Sequence, residues 1–237
     1  MKKIKTSTGY VEYNPQIIYW GIKTINKKIA AKNLSDLKSV LDGEVIKFML
    51  IAGTLLGAVR EHDFISHDED IDLAFLEEDK QIVFDSLPKI TKKGFEIARY
   101  DGRGLLSVIR DGEYIDFYFF KPKKGEKAIR TCSGWLILDK FLTRYGQLEF
   151  KGEIYSVPLD YIGYLRCEYG DDWSTPIKWF NYNMPFWKQK LFAIREHIKA
   201  IIPSIIMDII YKLKEPRFEM TYRRNIDKYL SSGGTIE

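Results

Sequence analysis

Asp70-Ile71-Asp72-Leu73-Ala74-Phe75 is the stretch whose reading decides the fold. In a strand, residues two apart share a face, so Asp70 and Asp72 converge while Ile71 and Leu73 enter the core. Two carboxylates side by side repel each other, which is costly without a cation between them. Hard oxygen ligands at this spacing suit Mg²⁺ or Mn²⁺, with substrate phosphates completing the coordination.

The same pattern returns in Tyr114-Ile115-Asp116-Phe117-Tyr118. An acid isolated in an apolar strand is disfavoured unless it faces a site, so Asp116 joins the candidate set. Upstream, the apolar run over 45–52 reads as a strand ending at Gly53-Thr54, with a short helix expected over 55–60. Glycine permits close backbone approach, and a helix N-terminus offers N–H groups to a phosphate. Arg60, at the end of that helix, is placed to pair with a phosphate oxygen.

Around these residues the pattern predicts a short helix from 16 into 22 and another over 34–42, capped by Asn33 or Ser35. Strands follow over 71–75, 95–100, 105–110 and 114–120, with a helix over 77–91. Asp101-Gly102 and Asp111-Gly112 supply hairpin turns between the last three strands. A further hairpin arm is expected over 149–157 and a helix over 160–169. Strands with interspersed helices and no regular βαβ repeat predict an α+β domain with a mixed sheet and flanking helices. The division expected is a catalytic domain over 1–185 and an amphipathic, basic helical segment over 186–237. In the latter, Pro203 separates a helix over 187–202 from a stripe of Ile205, Ile206, Ile209, Ile210 and Leu213.

Composition narrows the classes. The chain has 237 residues, 45% hydrophobic and 30% charged, as an ordinary globular protein does. No 18-residue apolar run predicts a spanning helix, and no apolar stretch of signal-peptide length follows the basic N-terminus. Cys132 and Cys167 are too few for a disulfide scaffold and lack metal-ligand spacing, so they read as buried thiols of a cytoplasmic protein. The net charge of +4 is too small to argue for nucleic acid. All of the excess lies in 186–237, which carries ten Lys/Arg and six Asp/Glu. With Phe186, Trp187 and Phe192, that segment reads either as a helix packed on the core or as peripheral contact with an anionic membrane.

The block Ala52-Gly53-Thr54-Leu55-Leu56-Gly57-Ala58-Val59-Arg60, followed by Phe64-Ile65 and Asp68-Glu69-Asp70-Ile71-Asp72, resembles the signature of the LicD family. That family groups bacterial phosphocholine transferases with fukutin-related ribitol-phosphate transferases on a nucleotidyltransferase fold. Tyr155-Ser156-Val157-Pro158, Leu165, Tyr169-Gly170-Asp171-Asp172-Trp173 and Pro176 resemble its C-terminal signature. One departure is Ser66-His67, where the family typically has Pro-Trp.

The resemblance implies Asp68 as a further metal ligand beside Asp70, Asp72 and Asp116. It also implies a CDP-activated alcohol donor, a glycan hydroxyl as acceptor, and release of CMP. Asp116 then reads as the ligand of a second ion or as the acceptor of the hydroxyl proton. With His62, His67 and His197 the only histidines, no nucleophilic triad is evident. Two other readings use the same residues: transfer of NMP from an NTP to a small hydroxyl compound, and a glycan-binding module, which would need broken acids.

Overall fold

The computed structural model describes residues 1–16, 24–176 and 204–236, with isolated positions between 185 and 202. The chain opens with a hairpin of β1 (Lys2–Thr6) and β2 (Gly9–Tyr13), then α1 (Lys27–Gly43), β3 (Met49–Leu50) and α2 (Ala52–Arg60). Next come β4 (Ile71–Leu76), a 3₁₀ turn, α3 (Lys80–Lys92), β5 (Glu96–Asp101), β6 (Leu105–Arg110) and β7 (Glu113–Lys123). The second half holds β8 (Glu126–Cys132), β9 (Trp135–Leu138), α4 (Lys140–Thr143), β10 (Tyr145–Phe150), β11 (Glu153–Pro158), α5 (Tyr161–Tyr169) and α6 (Ser204–Ser231).

Seven strands form the main sheet, in the order β3-β4-β7-β6-β5, with β8 pairing the far end of β7 and β9 pairing β8. Only β4 and β7 run parallel; the other pairs in this sheet are antiparallel, so the α+β mixed sheet is present. The β6–β7 turn uses Asp111 (φ 52°) and Gly112 (φ 78°), the two positive-φ positions of a tight hairpin. Helices α1 and α3 pack together beside the sheet, burying Leu34, Leu37 and Leu41 against Val83, Leu87 and Ile90 in one core.

Several local expectations change. Helix α1 starts at Lys27, and its cap is Asn26, whose side chain accepts the Ile29 N–H at 3.2 Å. Asn33 lies within the helix, fully buried, with its amide donating to the Arg110 carbonyl and its oxygen accepting from Arg110 Nε, each at 2.8 Å. The run over 45–52 contributes only Met49–Leu50 as strand, because Val45 (φ 58°) and Ala52 (φ 48°) break the extended backbone at either end. The hairpin β1–β2 and strands β8 and β9 are additions that the apolar pattern did not mark. Of the short helix expected from 16, all but Gln16 lies outside the described residues, and so does much of 187–202.

The C-terminal helix divides into two parts. Its later turns bury Ile226 and Tyr229 in the core, pack Tyr222 against it, and contact β9 and α5. Burying each such side chain contributes roughly 1.5–3 kcal/mol. Earlier in the helix, Ile206, Ile209 and Leu213 are exposed.

Candidate active site

The site grows from a row of side chains crossing four strands. Asp72 on β4 sits in register with Asp116 on β7, Asp116 with Ser107 on β6, and Ser107 with Arg99 on β5. In-register neighbours share a face, so four polar residues line up across an otherwise apolar sheet. Arg99 Nη2 donates to Asp116 at 2.7 Å, Arg99 Nε donates to Ser107 Oγ at 2.8 Å, and the Ser107 hydroxyl donates to Asp116. The Tyr118 hydroxyl, two residues along β7, lies within reach of both Asp116, at 3.4 Å, and Asp72, with one proton to give to either. Asp116 is thus buried and within reach of three donors.

Asp68, Asp70 and Asp72 differ from it in facing a cavity of about 810 Å³. Burial, followed by the neighbouring charges of Asp72, Asp116 and Asp68, holds the Asp70 carboxyl well above the usual carboxylate range. Burial and the charges of Asp68 and Asp116 do the same to Asp72, against a hydrogen bond from Tyr118 and one from the Gly53 N–H. Asp68 is pushed up to about 6, mainly by burial, and its Oδ2 is a buried atom with no hydrogen-bond partner. Like charges gathered in a low-dielectric wall favour the neutral forms or a bound cation.

The strand-to-helix turn frames this wall. Ala52 adopts a left-handed backbone, and its N–H donates to the buried Tyr164 hydroxyl of α5 at 3.0 Å. Gly53 lines the cavity, and a Cβ there would collide with Asp68 Oδ2. Gly57, one turn on, approaches the loop that carries the acidic run, where a Cβ would stand 2.5 Å from the Asp63 carbonyl. Thr54 is fully buried behind the wall, its hydroxyl accepting the Asp72 N–H at 2.9 Å. It therefore orients the aspartate strand, and the helix starts three residues earlier than the sequence suggests. Arg60 lines the cavity with a buried Nε lacking a partner, while its Nη atoms reach Glu61 at 2.8 Å and the Trp173 carbonyl at 3.4 Å. His67 also lines the cavity, where the family pattern places an indole.

The opposite wall was not legible beforehand. Glu168 of α5 accepts from the Trp135 indole of β9 at 3.2 Å, and Tyr222 of α6 stacks on Trp135 at 5.7 Å. Burial pushes Glu168 up to about 7, against that hydrogen bond. Arg103, at the β5–β6 turn, stacks on Tyr211 of α6 at 4.2 Å while pairing with Asp101. Cys132 and Cys167 are buried, free thiols, each pushed up to about 12 chiefly by burial. No local pattern in the sequence marks this wall, and Arg99 and Ser107 of the Asp116 row are likewise set in place only by strand register.

Among the described residues no group of three or more His, Cys, Asp or Glu side chains is placed to hold a metal ion. Mg²⁺ does not require one, since it commonly takes one or two carboxylates and fills its remaining positions with water and substrate phosphates. The unpartnered Asp68 oxygen and the mutually repelling Asp70 and Asp72 are a donor set that fits such a shared ion.

The LicD/FKTN/FKRP nucleotidyltransferase domain matches residues 45–162, from the strand before Gly53 to the start of α5. The chain belongs to this family. Its core is a transferase domain of the nucleotidyltransferase type, and Asp68, Asp70, Asp72 and Asp116 all lie within the matched stretch. Among curated proteins it is similar to uncharacterized protein RT0683 of Rickettsia typhi, 27% identical over 145 residues that cover 57% of this chain and 44% of that protein. It is also similar to uncharacterized protein RP689 of Rickettsia prowazekii, 32% identical over 65 residues, covering 27% of this chain and 24% of the other. The chain thus spans less than half the length of these relatives.

Among solved structures, it is similar to the antibiotic-resistance factor ANT(2'')-Ia at 12% identity and a TM-score of 0.43, covering 84% of this chain and 99% of that one. The lincosamide antibiotic adenylyltransferase LnuA with lincomycin bound gives 11% identity and a TM-score of 0.41, covering 70% and 95%. Likeness at that level says nothing about the reaction.

Proposed function

We propose that this LicD-family chain transfers a phosphorylated alcohol, phosphocholine or a polyol phosphate, from a CDP-activated donor to a glycan hydroxyl, releasing CMP. The observation that carries the reading is the row of acids on one wall of a large cavity: Asp68, Asp70 and Asp72, beside the glycine turn and Arg60. Asp70 and Asp72, with Asp68, would hold Mg²⁺ or Mn²⁺, and Asp116 completes the acidic set in the row behind them. Such an ion would supply charge neutralisation at the pyrophosphate and the departing CMP.

The remaining work falls to the chain's own groups. Arg60 directs its buried guanidinium toward the phosphate region, and Gly53 leaves room for the donor to approach the backbone. Thr54 fixes the β4 backbone at Asp72 from behind. Tyr118, kept protonated by burial and by Asp72, Asp116 and Asp70, places its one hydroxyl proton between the two central carboxylates. The acceptor hydroxyl attacks the phosphorus bearing the alcohol and passes its proton to a carboxylate of the acidic wall, while the bond to the bridging oxygen breaks and CMP departs with that electron pair. Positioning and charge neutralisation account for the acceleration, so no covalent intermediate is needed.

The test is CMP release in the presence of Mg²⁺ from CDP-choline, CDP-ribitol and CDP-glycerol, with water as acceptor of last resort. One of the three is expected to yield CMP. Pyrophosphate release from an NTP, with all three CDP-alcohols inert, would replace this reading with nucleotidyl transfer.

A further inference from the structure

The C-terminal segment is two different surfaces joined in one sequence. From residue 215 onward it is charge-balanced, four Lys/Arg against four Asp/Glu, and it buries Ile226 and Tyr229 against β9 and α5. Over 187–214 it carries six Lys/Arg against two Asp/Glu, so the whole net charge of the protein resides there. The same stretch exposes large apolar side chains. Trp187, Leu191, Ile194 and Ile198 are each more than half exposed, at helical spacing on one stripe. Ile206, Ile209 and Leu213 repeat that spacing in the first turns of α6, and Leu213 is 77% exposed. Nowhere else among the described residues do four exposed large apolar side chains follow one another at this interval.

An apolar stripe edged with lysines has two common occupants, a second helix or a lipid surface. Pairing two copies would bring two strongly basic segments together, and like charge opposes that contact. A bilayer with anionic headgroups satisfies both features, because the stripe buries in the acyl boundary while the lysines meet the headgroups. Among the described residues no helix is long and apolar enough to cross a membrane, so the stripe lies along such a surface. We infer that residues 187–213 dock the chain on an anionic lipid bilayer. Tyr211, between Ile209 and Leu213, lines the catalytic cavity and stacks on Arg103, so docking sets the mouth of the cavity beside the lipid headgroups.

The experiment is flotation of the full chain with vesicles of phosphatidylcholine alone and of phosphatidylcholine mixed with phosphatidylglycerol, without nucleotide. The chain is expected to rise with the anionic vesicles only, and less so as salt is raised. Leu191→Ser with Ile194→Ser should reduce the bound fraction at least about tenfold by removing buried apolar area. Lys188→Gln with Lys212→Gln should weaken partitioning about fivefold per lysine. All four positions are exposed, so the far-ultraviolet circular dichroism and melting temperature should match the parent. Failure to float with anionic vesicles overturns the inference, as does partitioning unchanged in both double variants. So does a sedimentation shift from dimer to monomer in the serine variant, which would assign the stripe to a second copy.

Discussion

The two walls of the cavity are built on opposite principles. One gathers Asp68, Asp70 and Asp72 within five residues of chain, on the lip of a strand, where burial and mutual repulsion drive their carboxyls upward. The other draws Trp135, Glu168 and Tyr222 from three elements far apart in sequence and holds its single acid with an indole N–H. The first wall is electrostatically frustrated, its carboxyls raised by burial and by one another. The second holds one carboxyl that burial alone raises, with an indole N–H and ring packing about it. The difference is one of cause: mutual repulsion among residues close in sequence on one wall, and burial of a lone acid by distant elements on the other.

Breaking the first wall should have the largest effect. Asp72→Asn is expected to lower CMP release by about 10³-fold or more, since on the proposed reading it removes a carboxylate that would hold the charge-neutralising ion. The same substitution should raise the metal-free melting temperature at pH 8, because it relieves a buried charge that the fold disfavours. Wild-type turnover in this variant would detach the acidic wall from the reaction.

A smaller effect is expected at the lip itself. In Gly53→Ala the new methyl displaces the Asp68 carboxylate, the one side-chain end it would meet. Apparent Mg²⁺ affinity should weaken about tenfold while stability stays within about 0.5 kcal/mol, a range typical of sites with no core defect. A large fall in stability with unchanged Mg²⁺ dependence would instead make Gly53 a packing residue.

The second wall should answer to pH and not to metal. In the folded chain Glu168 keeps its proton up to about 7, whereas unfolded it ionises in the ordinary carboxylate range. The native state therefore holds the extra proton, and stability is lost as pH rises through about 7. Glu168→Gln removes that loss. It should raise the melting temperature at pH 8 by on the order of 5 °C, corresponding to about 2 kcal/mol, and change it little at pH 5. An equal effect at both pH values would show that the carboxyl is not neutral in the fold.

Much of this was legible beforehand, for reasons specific to each residue. Asp72 and Asp116 interrupt apolar strands, which shows them without any knowledge of the neighbours, whereas Asp70, expected within its strand, stands just before β4. Strands β4 through β7 and helices α3 and α5 were marked by periodicity and by the Asp-Gly turns. What escaped was set by distant partners. The β1–β2 hairpin is too polar to show a core face, and it is held in part by Ser7, whose N–H and hydroxyl donate to Asp85 of α3 at 2.7 and 2.6 Å. Asn33 looked like a helix cap because its type favours caps, but its amide is consumed by Arg110, 77 residues away. Arg99 and Ser107 looked like ordinary strand polars until register set them beside Asp116.

The sequence by itself determined the acidic run, the glycine at the start of α2, the class of the fold and the family. These are local facts, fixed by side-chain alternation and by which residues tolerate a given backbone. Only the tertiary structure decided that Asp116 is locked by Arg99 and Ser107, that Glu168 and Trp135 close the cavity opposite the aspartates, and that the C-terminal helix is half core and half exposed. Those outcomes depend on strand register and helix docking, in which the partner of each group lies tens of residues away and no local pattern names it.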